Sequence, residues 1–228
     1  MHSRITPVVP ARPAAVLFDM DGTLVDTEDL WWRAVTEIAG RLGYGLTDAD
    51  LPDVLGRPVA HTAGYLHRTA DPAVPEAEIA RALDGAFSAR VADDVRPRPG
   101  ALRLLAELKA AQVPAALVTA SPRRVVDLVL RTLGAGWFAL TVAAEDTART
   151  KPEPDPYLAA AARLGVPPGD CVAVEDSPLG LSSARAAGCH VVAVPSTVPI
   201  RRAPGVLVVG SLEEVDLALL ATLSAAGV

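Results

Sequence analysis

Asp19 and Asp21 stand where the apolar run Val16-Leu17-Phe18 stops abruptly, with Gly22 directly behind them. Side chains two positions apart on an extended chain leave the backbone in the same direction, so the two carboxylates face one spot. Such a pair can share one cation, or it can divide the work of nucleophile and acid. In open parallel sheets the functional groups collect beyond the carboxyl ends of strands, and glycine permits the sharp turn that leaves both acids pointing at a ligand. A solvated acidic turn at a helix entrance has the same local sequence, so the decision falls to the other strand ends.

Two more apolar runs end in polar groups. Ala115–Val118 leads into Thr119-Ala120-Ser121, and Pro122 then opens a helix; the hydroxyls and free N–H groups there suit either a phosphate cradle or a helix cap. Cys171–Val174 ends in Glu175-Asp176-Ser177. Three strands delivering polar groups to one end of a sheet suit a hard cation such as Mg²⁺ with oxygen ligands. Lys151 is the fourth part. It lies between Thr150 and Pro152 in a chain that otherwise uses arginine and has one other lysine, Lys109. A compact ammonium fits a crowded anionic site where a planar guanidinium does not.

These groups need a scaffold. After Glu28, Leu30, Trp31, Ala34, Val35, Ile38, Ala39 and Leu42 recur at helical spacing, with Thr27 as N-cap and Gly43 as the stop. Helical patterns follow at Asp48–Leu55, Val59–Thr69 and Pro75–Val91, and the polar, proline-bearing stretch Asp93 to Gly100 reads as a linker. Beyond it, strands expected at Ala115–Val118, Leu140–Ala143, Cys171–Val174, Val191–Val194 and Val206–Val209 alternate with helices expected at Ala101–Ala111, Pro122–Leu133, Asp155–Leu164, Pro178–Ala187 and Leu212–Ser224. That alternation predicts an α/β fold: a doubly wound, mostly parallel, Rossmann-like sheet with an inserted all-helical domain. The division is a flexible leader at 1–13, a catalytic core from 14–28 and 97–228, and a helical cap at 29–96.

Composition narrows the partners. The chain has 228 residues and half of them are apolar, enough for one good core plus a small satellite domain. A net charge of −6 without a basic block argues against nucleic acid, and no apolar run reaches the roughly 18 residues of a membrane span. The expectation is a cytoplasmic monomer that meets no membrane and acts on a small-molecule phosphate ester. Cys171 and Cys189 start apolar runs without metal-type spacing and read as buried reduced thiols.

Asp19-Met20-Asp21-Gly22-Thr23, Thr119, Lys151-Pro152 and Glu175-Asp176, in that order, resemble the four motifs of the haloacid-dehalogenase superfamily of phosphohydrolases, in the branch with a helical cap after the first motif. The resemblance spans about residues 14 to 209. It implies that Asp19 is the nucleophile, Asp21 the general acid and base, and Thr119 and Lys151 the phosphate-side catalytic groups. It also implies Mg²⁺ held by Asp19, the Asp21 carbonyl and Asp176, with Glu175 a direct or outer ligand. In the family the stretch after the first motif and a Leu-Gly cap loop line the substrate pocket; here these carry Glu28, Trp31, Gly56 and Arg57, which join Ala120 and Ser121 as substrate-binding candidates. Arg57 suits a phosphate or sugar hydroxyl, or a surface helix end; Trp31 suits stacking on a sugar, or the cap interior.

The expected activity is Mg²⁺-dependent hydrolysis of small phosphate monoesters, sugar phosphates among them, through an aspartyl phosphate. A β-phosphoglucomutase-type mutase is the alternative, but that enzyme carries a histidine where this chain has Trp31. A non-enzymatic phospho-receiver also combines acids, a Thr and a Lys on a doubly wound sheet; receivers lack the long helical insert and a phosphoacceptor on the first strand.

Overall fold

The computed structural model describes residues 12–70, 73–197, 199–200 and 202–225. Six parallel strands form one sheet: β1 Ala15–Phe18, β2 Ala115–Val118, β3 Leu140–Val142, β4 Cys171–Glu175, β5 His190–Ala193 and β6 Val206–Val208, in the order β3-β2-β1-β4-β5-β6. The order reverses at β1, so β1 pairs with β2 on one side and β4 on the other. The crevice beyond its carboxyl end lies at the switch point of the sheet.

All four residues of β1 are buried, as a strand covered on both faces requires. Val16 and Phe18 face a core made with Leu104, Leu105, Val125, Val129 and Leu220; Ala15 and Leu17 face a second core made with Tyr157, Ala160, Leu181 and Ala184. The helices α5 Ala101–Ala110, α6 Arg123–Leu133 and α9 Leu217–Ala225 therefore cover one face, and α7 Asp155–Leu164 and α8 Pro178–Ala186 the other. Alanines line both sides of the second core, Ala116, Ala173 and Ala193 on strands and Ala160, Ala161 and Ala184 on helices. Small side chains let helix and sheet approach closely, which is how a chain poor in aromatics fills its interior.

Between β1 and α5 lies an all-helical insert: α1 Glu28–Arg41, α2 Leu51–Val54, α3 Val59–Thr69 and α4 Glu76–Asp94. Helix α4 packs on both α1 and α3. A buried carboxylate organises the turn before α2: Asp50 accepts from the hydroxyls of Tyr44 at 2.8 Å and of Tyr65, and from the Thr47 N–H at 2.6 Å and hydroxyl at 2.9 Å. Those donors, Tyr65 first and the Thr47 N–H next, hold its carboxyl well below the usual range. The two chain crossings between insert and sheet are stitched together, since the Asp26 N–H donates to the Arg96 carbonyl at 3.0 Å and the Arg98 N–H to the Leu24 carbonyl at 2.9 Å.

Several expectations need correction. The leader at 1–13 falls mostly outside the described residues, but Arg12 donates to the Ala111 carbonyl at 3.1 Å and Pro13 is buried. Thr27 does not cap α1; its hydroxyl is turned into the active site. The pattern at Asp48–Leu55 splits into a 3₁₀ turn and a short helix around Asp50. Helix α4 runs through Asp94, so the linker starts at Val95. The expected helix Leu212–Ser224 breaks, because Arg103 reaches the carbonyls of Leu212 and Val215, while Asp216 and Glu107 accept the first N–H groups of α9. Among the described residues no helix is long and apolar enough to cross a membrane.

Candidate active site

Asp19 follows β1 and its N–H donates to the Val174 carbonyl at 2.9 Å, so the backbone that carries it is fixed by the neighbouring strand. Its Oδ1 accepts from the Lys151 Nζ at 2.6 Å. The same ammonium donates to Glu175 Oε1 at 2.7 Å and to the Val118 carbonyl at 2.9 Å, which uses all three of its donors. A guanidinium has no such compact three-way reach, which accounts for a lysine at this point in an arginine-rich chain. Burial works against the charged lysine, but the Asp19 and Glu175 carboxylates outweigh it and hold its pKa above the ordinary value.

Glu175 ends β4 and is wholly buried. Besides Lys151 it accepts from the Tyr157 hydroxyl, and Gly180 leaves room for it: a Cβ there would fall 1.9 Å from Glu175 Oε2. Asp176, next in the chain, accepts from the Ser196 hydroxyl. Gly22 has φ +76°, and a Cβ on it would come within 2.1 Å of Asp176 Oδ2, so only glycine lets the first-motif turn close over that carboxylate. One ligand atom from each of Asp19, Glu175 and Asp176 lies within 4.8 Å of the others. Burial first, then the charges of Asp19 and Glu175, push the Asp176 carboxyl up to about 8.

Among the described residues, three close carboxylates with a single lysine leave negative charge uncompensated, and Asp19 Oδ2 is buried without a hydrogen-bond partner. An orphaned buried acceptor among convergent oxygen ligands fits a hard divalent cation. The donor set is all oxygen, as that chemistry requires.

Asp21 sits beside this cluster, and among the described residues its carboxylate is held by hydroxyls alone. Thr27 donates to its Oδ1 at 2.9 Å; Ser121 and Thr119 donate to its Oδ2 at 2.7 and 3.1 Å. The Ser121 N–H in turn donates to the Thr119 hydroxyl at 2.9 Å. From the sequence, the Thr119 and Ser121 hydroxyls suit either a phosphate cradle or a helix cap. The structure turns both hydroxyls onto Asp21, a half-buried carboxylate with no cationic partner among the described residues. Burial, and then the Asp19 charge, raise the Asp21 pKa above its ordinary value.

A cavity of about 350 Å³ opens from these groups towards the insert, lined on that side by Glu28, Trp31, Gly56, Arg57, Asp84 and Phe87, and by Ala120 on the sheet side. Trp31 donates its Nε1–H to the Val54 carbonyl at 2.8 Å and meets Phe87 edge to face at 5.4 Å. Its indole is thus both cap interior and cavity wall. Arg57 lies at the rim, exposed, with its Nε donating to the Pro52 carbonyl at 2.9 Å. Among the described residues Glu28 Oε2 is buried without a partner; burial first, and Asp21 next, push that carboxyl up to about 7.

All the strand-end residues named from the sequence converge here. Reading the sequence missed Tyr157, Ser196 and the real direction of Thr27. Ser196 stands shortly after β5, at the same sheet end as the others, so the strand-end rule would have found it. Tyr157 is a lone aromatic in the alanine-rich helix α7 and gave no local signal. Asp84 and Phe87 lie far along α4 and reach the cavity only through the folding of the insert.

The haloacid dehalogenase-like hydrolase family profile matches residues 16–194. Hexitol phosphatase A of Escherichia coli (strain K12) is 36% identical over 207 residues, covering 90% of this chain and 94% of that protein. Protein CbbY (plasmid) of Cupriavidus necator is 37% identical over 199 residues, covering 80% and 78%. The crystal structure of CbbY from Rhodobacter sphaeroides in complex with phosphate superposes with a TM-score of 0.78 at 32% identity, covering 88% of this chain and 95% of that one. With strand ends, lysine, acidic cluster and helical insert all arranged as described, the chain belongs to the haloacid dehalogenase-like hydrolases.

Proposed function

We propose that this protein is a Mg²⁺-dependent phosphatase of small sugar-phosphate monoesters that works through an aspartyl phosphate on Asp19. The observation that carries the reading is the Asp19 carboxylate, with Oδ1 fixed by Lys151 and Oδ2 free of hydrogen bonds beside Asp176. The similarity to hexitol phosphatase A supports the sugar-phosphate part.

Hydrolysis of a phosphate monoester requires on the order of 20 kcal/mol of barrier lowering, more than any one contact supplies. Splitting it in two is the first device. Asp19 attacks phosphorus while the bond to the sugar oxygen breaks, and Asp21, in its protonated form, gives that oxygen its proton. Asp21 then takes a proton from water as the water attacks the phosphoryl group, releasing phosphate and restoring Asp19. The raised Asp21 pKa suits a group that alternates between acid and base. Lys151 orients Asp19 and offsets charge gathering on the phosphoryl oxygens. Asp19, Asp176 and the Asp21 carbonyl would hold Mg²⁺, which supplies further charge neutralisation when bound. Glu175, already accepting from Lys151 and Tyr157, serves to hold the lysine. Residues 29–96 act as the cap that excludes water and touches the sugar through Trp31, Gly56 and Arg57, with Glu28 at the crossing beside them, while Ala120 and Ser121 border the phosphate.

Water is the acceptor in this reading. Trp31 stands where the mutase carries a histidine, and its only polar atom already donates to Val54. The test is phosphate release across a panel of sugar phosphates, nucleotides and short-chain esters with Mg²⁺ or with excess EDTA. Mg²⁺-dependent release from sugar phosphates is expected; unchanged release in EDTA would remove the metal from the reaction. With β-glucose 1-phosphate and a trace of the 1,6-bisphosphate, glucose 6-phosphate forming faster than free phosphate would show a mutase instead.

A further inference from the structure

Among the described residues, every ion pair but one joins two groups on the same side of the boundary between insert and sheet. Arg90–Glu37, Arg33–Asp29 and His61–Asp53 lie within the insert; Arg123–Asp146, Arg149–Asp155 and Lys151–Asp19 lie within the sheet domain. The exception is Asp84 of α4 with Arg124 of α6. These two helices also pack on each other. Asp84 lies ten residues before the end of α4, about 15 Å along the helix axis from that end, just beyond which the chain reaches the stitched crossings at Asp26 and Arg96. It lines the cavity, and one helical turn further on Phe87 forms the cavity wall with Trp31. Arg124, for its part, sits in the first turn of α6, directly after the Thr119–Pro122 segment that holds Asp21.

We propose that Asp84 and Arg124 are positioning residues: their ion pair is the latch that seats the insert on the sheet domain and sets the Trp31–Phe87 wall over the reacting groups. The inference rests on the phosphatase reading for its kinetic consequence only. The crossings at one end of the insert act as a hinge, and a charge pair about 15 Å from the end of α4 has the leverage to choose between seated and lifted arrangements. Both side chains are partly exposed, 45% for Arg124 and 30% for Asp84. A pair so placed is screened by salt and shifts the seated population modestly, which suits a contact that must open in each cycle to release product.

The experiment compares Asp84→Asn, Arg124→Gln, the two combined, and the charge-swapped Asp84→Arg/Arg124→Asp. Each neutral single variant is expected to lose about fivefold in kcat/KM on the best sugar phosphate, chiefly through KM, and the combination to lose no more than either alone. Raising the salt concentration to about 1 M weakens binding of the anionic substrate in every form but breaks the pair only in the wild type, so the wild type should fall to the level of the neutral variants. The swapped pair should recover most of the loss seen in the single variants. Amide hydrogen exchange supplies a readout independent of turnover: segments 84–91 and 119–122 should exchange faster in the single variants and return to wild-type rates in the swap. Additive losses, no recovery in the swap, or unchanged exchange would overturn the latch. Should the wild type hydrolyse no phosphate ester, the functional reading fails while the exchange measurement still decides whether the pair seats the insert.

Discussion

The two halves of the cavity are built by different means. On the sheet side, Asp19, Thr119 and Glu175 each stand at a strand terminus, tied by ladder hydrogen bonds to neighbours buried on both faces. Moving one of them means breaking the sheet. On the insert side, Trp31, Arg57, Asp84 and Phe87 come from three different segments, and their places depend on side-chain contacts: the indole on the Val54 carbonyl, the guanidinium on the Pro52 carbonyl, and the turn before α2 gathered around Asp50. Chemistry that requires atoms held within tenths of an ångström is placed on the rigid half. On the proposed reading, selection among sugars, which tolerates and even needs movement, is placed on the other.

That contrast is most severely tested at Asp19. Asp19→Asn removes the proposed nucleophile with almost no change in shape, so phosphate release should fall at least about a thousandfold while the thermal midpoint stays near wild type. Activity within about tenfold of wild type in rigorously purified protein would sink the assignment. Gly22→Ala probes the same half through its backbone. A residue at φ +76° costs about 1–2 kcal/mol for a side chain, and the new Cβ would displace the Asp176 carboxylate. The expected outcome is a folded enzyme that needs at least tenfold more Mg²⁺ for half-maximal activity. An unchanged metal titration would show that Asp176 is not a ligand.

On the insert side, stability should respond before chemistry does. Asp50→Ala leaves two tyrosine hydroxyls and the Thr47 N–H without their acceptor, a loss of about 2–3 kcal/mol in denaturant unfolding, with KM rising more than kcat falls. Because the Asp50 carboxyl is held below its usual value in the folded protein, its contribution is present above the unfolded pKa of about 3.9 and fades as pH falls below it. The wild type should therefore lose stability relative to the alanine variant between about pH 4 and pH 2. A stability difference that stays constant over that range would mean the network does not depend on the charge. The smallest effect belongs to Trp31→Phe, which keeps the contact with Phe87 and loses one hydrogen bond. About 1 kcal/mol and a KM change of twofold to fivefold are expected, and a loss beyond a hundredfold in kcat would place the indole in the chemistry.

The sequence alone determined the strand-end half of this site. Parallel strands read as apolar runs, and a polar residue that ends one must lie at the carboxyl edge. Asp19, Asp21, Thr119, Glu175 and Asp176 were therefore legible without coordinates, and Lys151 stood out against a background of arginine. The order of the strands was not needed to see that the groups converge.

The tertiary structure decided where hydroxyls and long-range partners go. Thr27 stands where an N-cap residue would, yet no helix N–H donates to its oxygen; its hydroxyl is turned to donate to the Asp21 carboxylate, which only the fold brings within reach. Tyr157 and Ser196 approach the acids from α7 and from beyond β5, and Asp84 meets Arg124 from far away in the sequence. No period or spacing encodes such meetings. They depend on how helices seat against the sheet, and that is fixed only when buried polar groups in distant segments have found one another.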